Sequence, residues 1–235
     1  MILVTGATGN VGAEVVRDLA ARGEPVRAFV RDADRARAVL GEDVELAVGD
    51  FSDAGSLHRA MGGVDRVFLS AADGPQKAAQ ETAVIDAAAG ARLIVKASTV
   101  MAEAGSPLPC FDWNGRIEAH LRTAQVPSVV LQSGFYMTNL LSAAEQVRNT
   151  GKLFAPAGRG TIAMIDPRDV GRVGATVLTG DGHEGHTYVL TGPEAIGYEQ
   201  VAEARQPRQA TQSSTSTCPR RPCSRDSSRV ARPTG

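Results

Sequence analysis

The sequence predicts an α/β fold, a doubly wound parallel sheet with helices on both faces. Three observations carry that expectation. Short apolar runs alternate with helical patterns, unbroken, from residue 2 to residue 132. Runs such as Val67-Phe68-Leu69 and Leu93-Ile94-Val95 are apolar at every position, as in strands buried on both faces. The first run also passes through a glycine-rich turn directly into a helix. A chain of 235 residues, 43% of them hydrophobic, is long enough to bury a sizeable core.

Taken in order, Ile2–Thr5 is a strand and Gly6–Gly12 a tight loop. Val11–Ala21 has apolar residues at helical spacing (Val11, Val15, Val16, Leu19), and Gly23 ends it. Val26–Val30 is a strand, Asp32–Leu40 an Arg-rich helix and Val44–Val48 a strand. The turn Gly49–Asp53 leads to a short helix, Ala54–Met61. Arg66–Ser70, Leu93–Ser98 and Ser128–Gln132 are strands, separated by the helices Pro75–Ala89 and Asn114–Ala124. These elements form a dinucleotide-binding type of domain over residues 1–133.

Residues 134–204 are less regular and read as a small substrate region packed on that domain. Thr138–Asn149 reads as a helix and Lys152–Ala163 as strand-turn-strand. Asp166–Leu178 reads as a helix with Asp166 as N-cap and Pro167 at its first position. Tyr188–Leu190 is a short strand, and a helix starts at Tyr198. Composition then changes. Of the 31 residues from Arg205 to Gly235, 21 are Arg, Pro, Ser or Thr, too polar to bury a core. That segment reads as disordered or as the product of a frameshift in GC-rich coding, which would leave the substrate region incomplete. A basic arm, with seven Arg against one Asp, is the other reading.

The net charge of −1 gives no footprint for nucleic acid or an acidic membrane. No apolar run approaches the ~20 residues of a membrane span, and no basic leader precedes the first strand. These features lead us to expect a cytoplasmic protein, monomer or homodimer, with a small-molecule substrate. Cys110, Cys218 and Cys223 make neither a disulfide framework nor a metal site, and Cys110 reads as a small half-buried residue.

The chemistry starts at Gly6-Ala7-Thr8-Gly9-Asn10-Val11-Gly12. Gly6 can take a backbone conformation closed to other residues, Gly9 lets a pyrophosphate approach, and Gly12 lets helix and strand pack closely. The helix N-terminus offers free N–H groups to phosphate. Gly6, Thr8, Gly9, Asn10, Val11 and Gly12 are therefore the expected cradle of a nicotinamide dinucleotide. An acid at the end of the second strand would hold the ribose hydroxyl of NAD(H), and an Arg the 2′-phosphate of NADP(H). Here Arg31 and Asp32 are adjacent. Arg31 directly follows the strand and favours NADP(H); Asp32 keeps NAD(H) open. Asp50 is placed to accept from the adenine amino group, with Phe51 beside the ring. Ser70 and Ala71 end the fourth strand with small side chains over which a cofactor can lie. Lys96 and Ser98 end the fifth strand, where the crevice opens, although a lysine stem can also simply snorkel to the strand end.

Together with Trp113-Asn114-Gly115-Arg116-Ile117-Glu118, Ser133-Gly134-Phe135-Tyr136-Met137-Thr138-Asn139 and Thr191-Gly192-Pro193-Glu194, these motifs resemble the NmrA-like family of atypical short-chain dehydrogenases over about residues 1–204. The resemblance implies a Rossmann domain that binds NADP(H) or NAD(H). It also implies one of two activities: reduction of a quinone-like or other electron-poor molecule, or non-catalytic sensing of the cofactor. Phe135, Tyr136, Asn139 and Asn114 are the substrate-pocket candidates. The superfamily's Tyr-x-x-x-Lys pair is absent, since none of Tyr136, Tyr188 and Tyr198 has Lys four residues on. Asn114 stands where reductases of the family often carry Lys or His, and His120 reads as solvated. The sequence thus assigns no catalytic residue.

Overall fold

The alternating elements assemble into one seven-stranded sheet in a computed structural model, which describes residues 1–153, 155 and 157–204. The expectations for residues 205–235 lie outside the described residues. The strands are β1 (Ile2–Val4), β2 (Val26–Val30), β3 (Glu45–Val48), β4 (Arg66–Leu69), β5 (Leu93–Thr99), β6 (Ser128–Ser133), β7 (Thr161–Ile162), β8 (Thr187–Leu190) and β9 (Ile196–Gly197). The large sheet runs β3-β2-β1-β4-β5-β6-β8, and every neighbouring pair in it is parallel. The order reverses at β1, so the crevice outside the carboxyl ends of β1 and β4 is the topological switch point where ligands bind in such sheets.

The helices are α1 (Gly12–Ala21), α2 (Ala33–Leu40), α3 (Ala54–Ala60), α4 (Lys77–Ala87), α5 (Pro109–Thr123), α6 (Ala144–Thr150), α7 (Pro167–Thr179) and α8 (Tyr198–Ala204). Two apolar layers follow from the strand alternation. Val4, Phe68, Val95, Val129 and Leu131 face α1 and α7 on one side. Leu3, Val67, Leu69 and Ile94 face α3, α4 and α5 on the other. Phe68 is fully buried at the centre of the first layer. α7 reaches it because Gly171 and Gly174 carry no side chain. A Cβ on Gly171 would stand 2.5 Å from the Glu14 Cβ, and one on Gly174 2.8 Å from the Phe68 ring.

Several elements differ from the sequence reading. α5 starts at Pro109, five residues before Asn114, because Pro fits the first helical position and Leu108 before it is extended. The expected helix 138–149 is divided into a 3-10 segment, Met137–Ala143, and the short α6. The expected strand-turn-strand at 152–163 yields, in its described part, only β7, which pairs antiparallel with the distant β9. Its glycines form a turn at Gly158 (φ +52°) rather than a hairpin with a local partner. The boundary expected after residue 133 is not a break: β8 completes the main sheet and α7 packs on α1, so residues 1–204 form one unit.

Candidate cofactor and active site

The glycine loop joins β1 to α1 at the switch point. Gly6 has φ +60°, and a Cβ there would meet the Ser70 carbonyl oxygen at 2.7 Å. A Cβ on Gly12 would lie 2.3 Å from the Gly6 carbonyl oxygen, and one on Gly9 3.1 Å from the same atom. The three glycines therefore close the loop on itself, and Gly9 N–H donates to the Gly6 carbonyl at 2.9 Å. Thr5 fixes this loop against β4: its hydroxyl donates to the Ser70 carbonyl (2.9 Å) and accepts from the Ser70 N–H (2.9 Å). The N–H groups of Asn10, Val11 and Gly12 meet no protein acceptor among the described residues, and Val11 gives no side-chain cap. Free amides at a helix N-terminus beside a glycine-rich loop fit the pyrophosphate of a dinucleotide. Thr8 lies half-buried in the same loop.

The ends of β2 and β3 separate Arg31 from Asp32. The Asp32 carboxylate accepts the Arg35 N–H at 3.0 Å as the N-cap of α2. Arg31 is exposed and makes no side-chain hydrogen bond or ion pair among the described residues. One oxygen of Asp50 accepts the Ser52 N–H (2.8 Å) and hydroxyl (2.6 Å). These bonds, with Arg31 adding a little, hold the Asp50 carboxyl below the usual carboxylate range. Phe51 packs against Phe29 with ring centroids 5.4 Å apart.

Beneath the ends of β4 and β5 lies a buried ionic cluster that sequence reasoning found only in part. Lys96, a cofactor or active-site candidate in the sequence, neither snorkels out nor opens to the crevice: it is fully buried. Its ammonium meets Glu81 Oε2 at 2.9 Å and donates to Asn114 Oδ1 at 2.9 Å and to the Ala97 carbonyl. Burial pushes the Lys96 ammonium pKa down; Glu81 opposes that and Lys77 reinforces it. Glu81 also accepts the Ala71 N–H (2.9 Å), while Lys77 donates to the Ala71 carbonyl (2.7 Å). Lys77 pairs with Glu81 (3.1 Å) and with exposed Asp73 (3.3 Å). Two side chains of α4 thus clamp both backbone polar groups of Ala71. The available signal was a Lys and a Glu four residues apart on one helix face, in a chain with three lysines.

Asn114 and Ser98 likewise turn inward. The Asn114 amide is shared between Lys96 and the Cys110 carbonyl (2.8 Å). Ser98 donates to Glu118 at 2.5 Å, and Gln132 donates to the same carboxylate at 3.2 Å. These three residues tie α5 to β5 and β6 below the crevice. A missed glycine helps: a Cβ on Gly115 would strike the backbone of Glu103 and Ala104 at 2.2 Å, so the loop after β5 lies directly on α5.

Above β6, Phe135 and Tyr136 are half-buried and Asn139 is exposed, its N–H donating to the Tyr136 carbonyl at 3.0 Å. The Ile165 N–H donates to the Phe135 carbonyl (2.9 Å), which fixes this loop to the chain before α7. Met101, 72% exposed after β5, holds φ +61°, a conformation unusual for a residue with a side chain. His120 is partly exposed and pairs with exposed Asp86 at 2.7 Å. Among the described residues no group of His, Cys, Asp or Glu could hold a metal ion, and no helix is long and apolar enough to cross a membrane.

The family model described as the NmrA-like family matches residues 1–211. The chain belongs to the NmrA-like family. Within that family it is similar to an NAD(P)H azoreductase of Xenophilus azovorans, 37% identical over 206 residues, which cover 87% of this chain and 72% of that protein. Its fold resembles a quinone oxidoreductase of Escherichia coli solved with NADPH (TM-score 0.78, 31% identity, 86% of this chain and 73% of that one). It also resembles a triphenylmethane reductase of Citrobacter solved with NADP(H) (TM-score 0.77, 27% identity, 86% and 73%). This NmrA-like chain thus shares its architecture with Rossmann-fold reductases.

Proposed function

We propose that the protein is an NADP(H)-dependent oxidoreductase that reduces quinone-like or other electron-poor small molecules. The observation that carries this reading is the division of labour at Arg31 and Asp32. Asp32 is committed to capping α2, which leaves Arg31 as the free group at the position that recognises the adenosine ribose. Gly6, Thr8, Gly9, Asn10, Val11 and Gly12 hold the pyrophosphate. Asp50 and Phe51 flank the adenine, and Ser70 and the clamped Ala71 form the floor. When bound, the reduced nicotinamide supplies a hydride. Phe135, Tyr136 and Asn139 line the substrate side. Met101, Leu108, Met137 and Leu141, all exposed on segments that follow β5 and β6, give that side an apolar rim suited to a flat aromatic acceptor. The relatives named above are, by their names, an azoreductase, a quinone oxidoreductase and a triphenylmethane reductase, which supports an electron-poor acceptor here.

Arg31→Ala tests the cofactor assignment. Loss of a hydrogen bond to a charged group, ~1.5–3 kcal/mol, weakens NADPH binding about tenfold to a hundredfold while NADH binding holds. Equal loss for both cofactors, measured by fluorescence titration, would contradict the assignment. Oxidation of NADPH in the presence of quinones and azo dyes tests the activity. Tight NADPH binding with no turnover of any acceptor would instead favour a non-catalytic cofactor sensor.

A further inference from the structure

Past β4 the main chain is held by side chains from two other places in the fold. β4 ends at Leu69, so Ser70 and Ala71 belong to no strand or helix, yet all four of their backbone polar groups have partners. The Thr5 hydroxyl donates to the Ser70 carbonyl (2.9 Å) and accepts the Ser70 N–H (2.9 Å). Glu81 accepts the Ala71 N–H (2.9 Å), and the Lys77 ammonium donates to the Ala71 carbonyl (2.7 Å). Lys77 is 5% exposed, Glu81 is fully buried, and they pair with each other at 3.1 Å. Glu81 also meets Lys96 at 2.9 Å, and the Lys96 ammonium donates to the Ala97 carbonyl on β5. One ionic cluster thus fixes main chain at the ends of β4 and β5, the two strands that follow β1 on that side of the switch point.

Buried ion pairs add little stability that apolar packing would not supply. What charged side chains do here, and apolar ones cannot, is satisfy backbone groups that lie outside every strand and helix. The position of those groups gives the arrangement a use. The glycine loop rests on them: a Cβ on Gly6 would meet the Ser70 carbonyl oxygen at 2.7 Å. Arg31 and Asp50, assigned to the adenosine half, follow β2 and β3 on the other side of β1. A dinucleotide with its pyrophosphate on the loop after β1 therefore lays its other half over the ends of β4 and β5. We propose that Lys77 and Glu81 are positioning residues for that nicotinamide half, holding Ser70 and Ala71 as a floor formed before the cofactor arrives. This rests on the NADP(H) reading above. Because its main-chain groups are already paired, the floor meets the cofactor by van der Waals contact, and a floor set in advance pays no ordering cost on binding.

Lys77→Met removes the donor to Ala71 and leaves Glu81 and Lys96 as a charge-balanced pair. It weakens NADPH and NADH about tenfold alike, by fluorescence titration, because the floor does not touch the 2′-phosphate. Adenosine 2′,5′-bisphosphate, which lacks the nicotinamide half, keeps its wild-type Kd within about twofold by calorimetry. An unchanged NADPH Kd in the folded variant overturns the positioning role. So does an equal loss of adenosine 2′,5′-bisphosphate, which is what general damage to the fold would give. The wild-type chain without cofactor supplies a second test, by NMR of amide hydrogen exchange. The Ser70 and Ala71 amides exchange as slowly as those of β4; fast exchange that slows only when NADPH is added overturns a floor formed in advance. A wild-type chain that binds neither NADPH nor NADH overturns the cofactor reading and the positioning role with it. A loss in Lys77→Met confined to the nicotinamide-bearing ligands supports both.

Discussion

Gly12 has the least room of the three cradle glycines. The atom its Cβ would strike is the backbone carbonyl of Gly6, 2.3 Å away, which cannot turn aside without opening the loop. Gly12→Ala is therefore expected to destabilise the fold by about 1–3 kcal/mol, the usual cost of overpacking, and to abolish NADPH binding. Thermal unfolding and a cofactor titration check both parts; an Ala variant that binds as the wild type does would contradict the cradle geometry. The glycine turn was legible in the sequence, because it depends on local spacing. The inward turn of Lys96, Ser98 and Asn114 was not. A lysine on an apolar strand looks the same whether its partner is a ligand or a glutamate, and Glu81 lies on another element.

At the scale of elements, α4 and α5 are joined to the sheet by charge as well as by apolar contact. Among the described residues Glu81 is the one carboxylate paired with Lys96, and it is the buried partner of Lys77. Glu81→Gln leaves Lys96 buried without its paired countercharge and is expected to cost about 3–5 kcal/mol. Urea unfolding at neutral pH reads that loss, and a shift below about 1 kcal/mol would show that the cluster contributes little. Replacing Lys96 by Met in the same variant restores part of the loss, since it removes the stranded charge. The strands and helices that form this frame were read almost residue for residue as far as β6. α5 was placed late because its first turn, Pro109–Trp113, has no apolar periodicity and is fixed by Pro109 and by the loop lying on Gly115.

For the molecule as a whole, pH reports on surface carboxylates. Asp50, Asp65, Asp112 and Asp166 all have folded pKa values below the ordinary 3.8, held down mainly by hydrogen bonds to Ser52, the N-terminal ammonium, Gly105 and Arg168 respectively. A depressed carboxylate stabilises the fold fully above its unfolded pKa, and that contribution disappears as pH falls through the folded value. Stability should be level from neutral pH down to about pH 5 and then decline below about pH 4. Urea midpoints across that range check the sign; a midpoint unchanged at about pH 3 would contradict it.

By itself the sequence determined the parallel sheet and the glycine turn that joins β1 to α1, because apolar periodicity and tight turns act over a few neighbouring residues. Tertiary structure alone decided that β8 completes the sheet, that Lys77 and Glu81 clamp Ala71, and that Lys96 belongs to the interior. Those outcomes depend on which strands become neighbours, and strand order is set by how distant apolar faces pack, not by any local pattern.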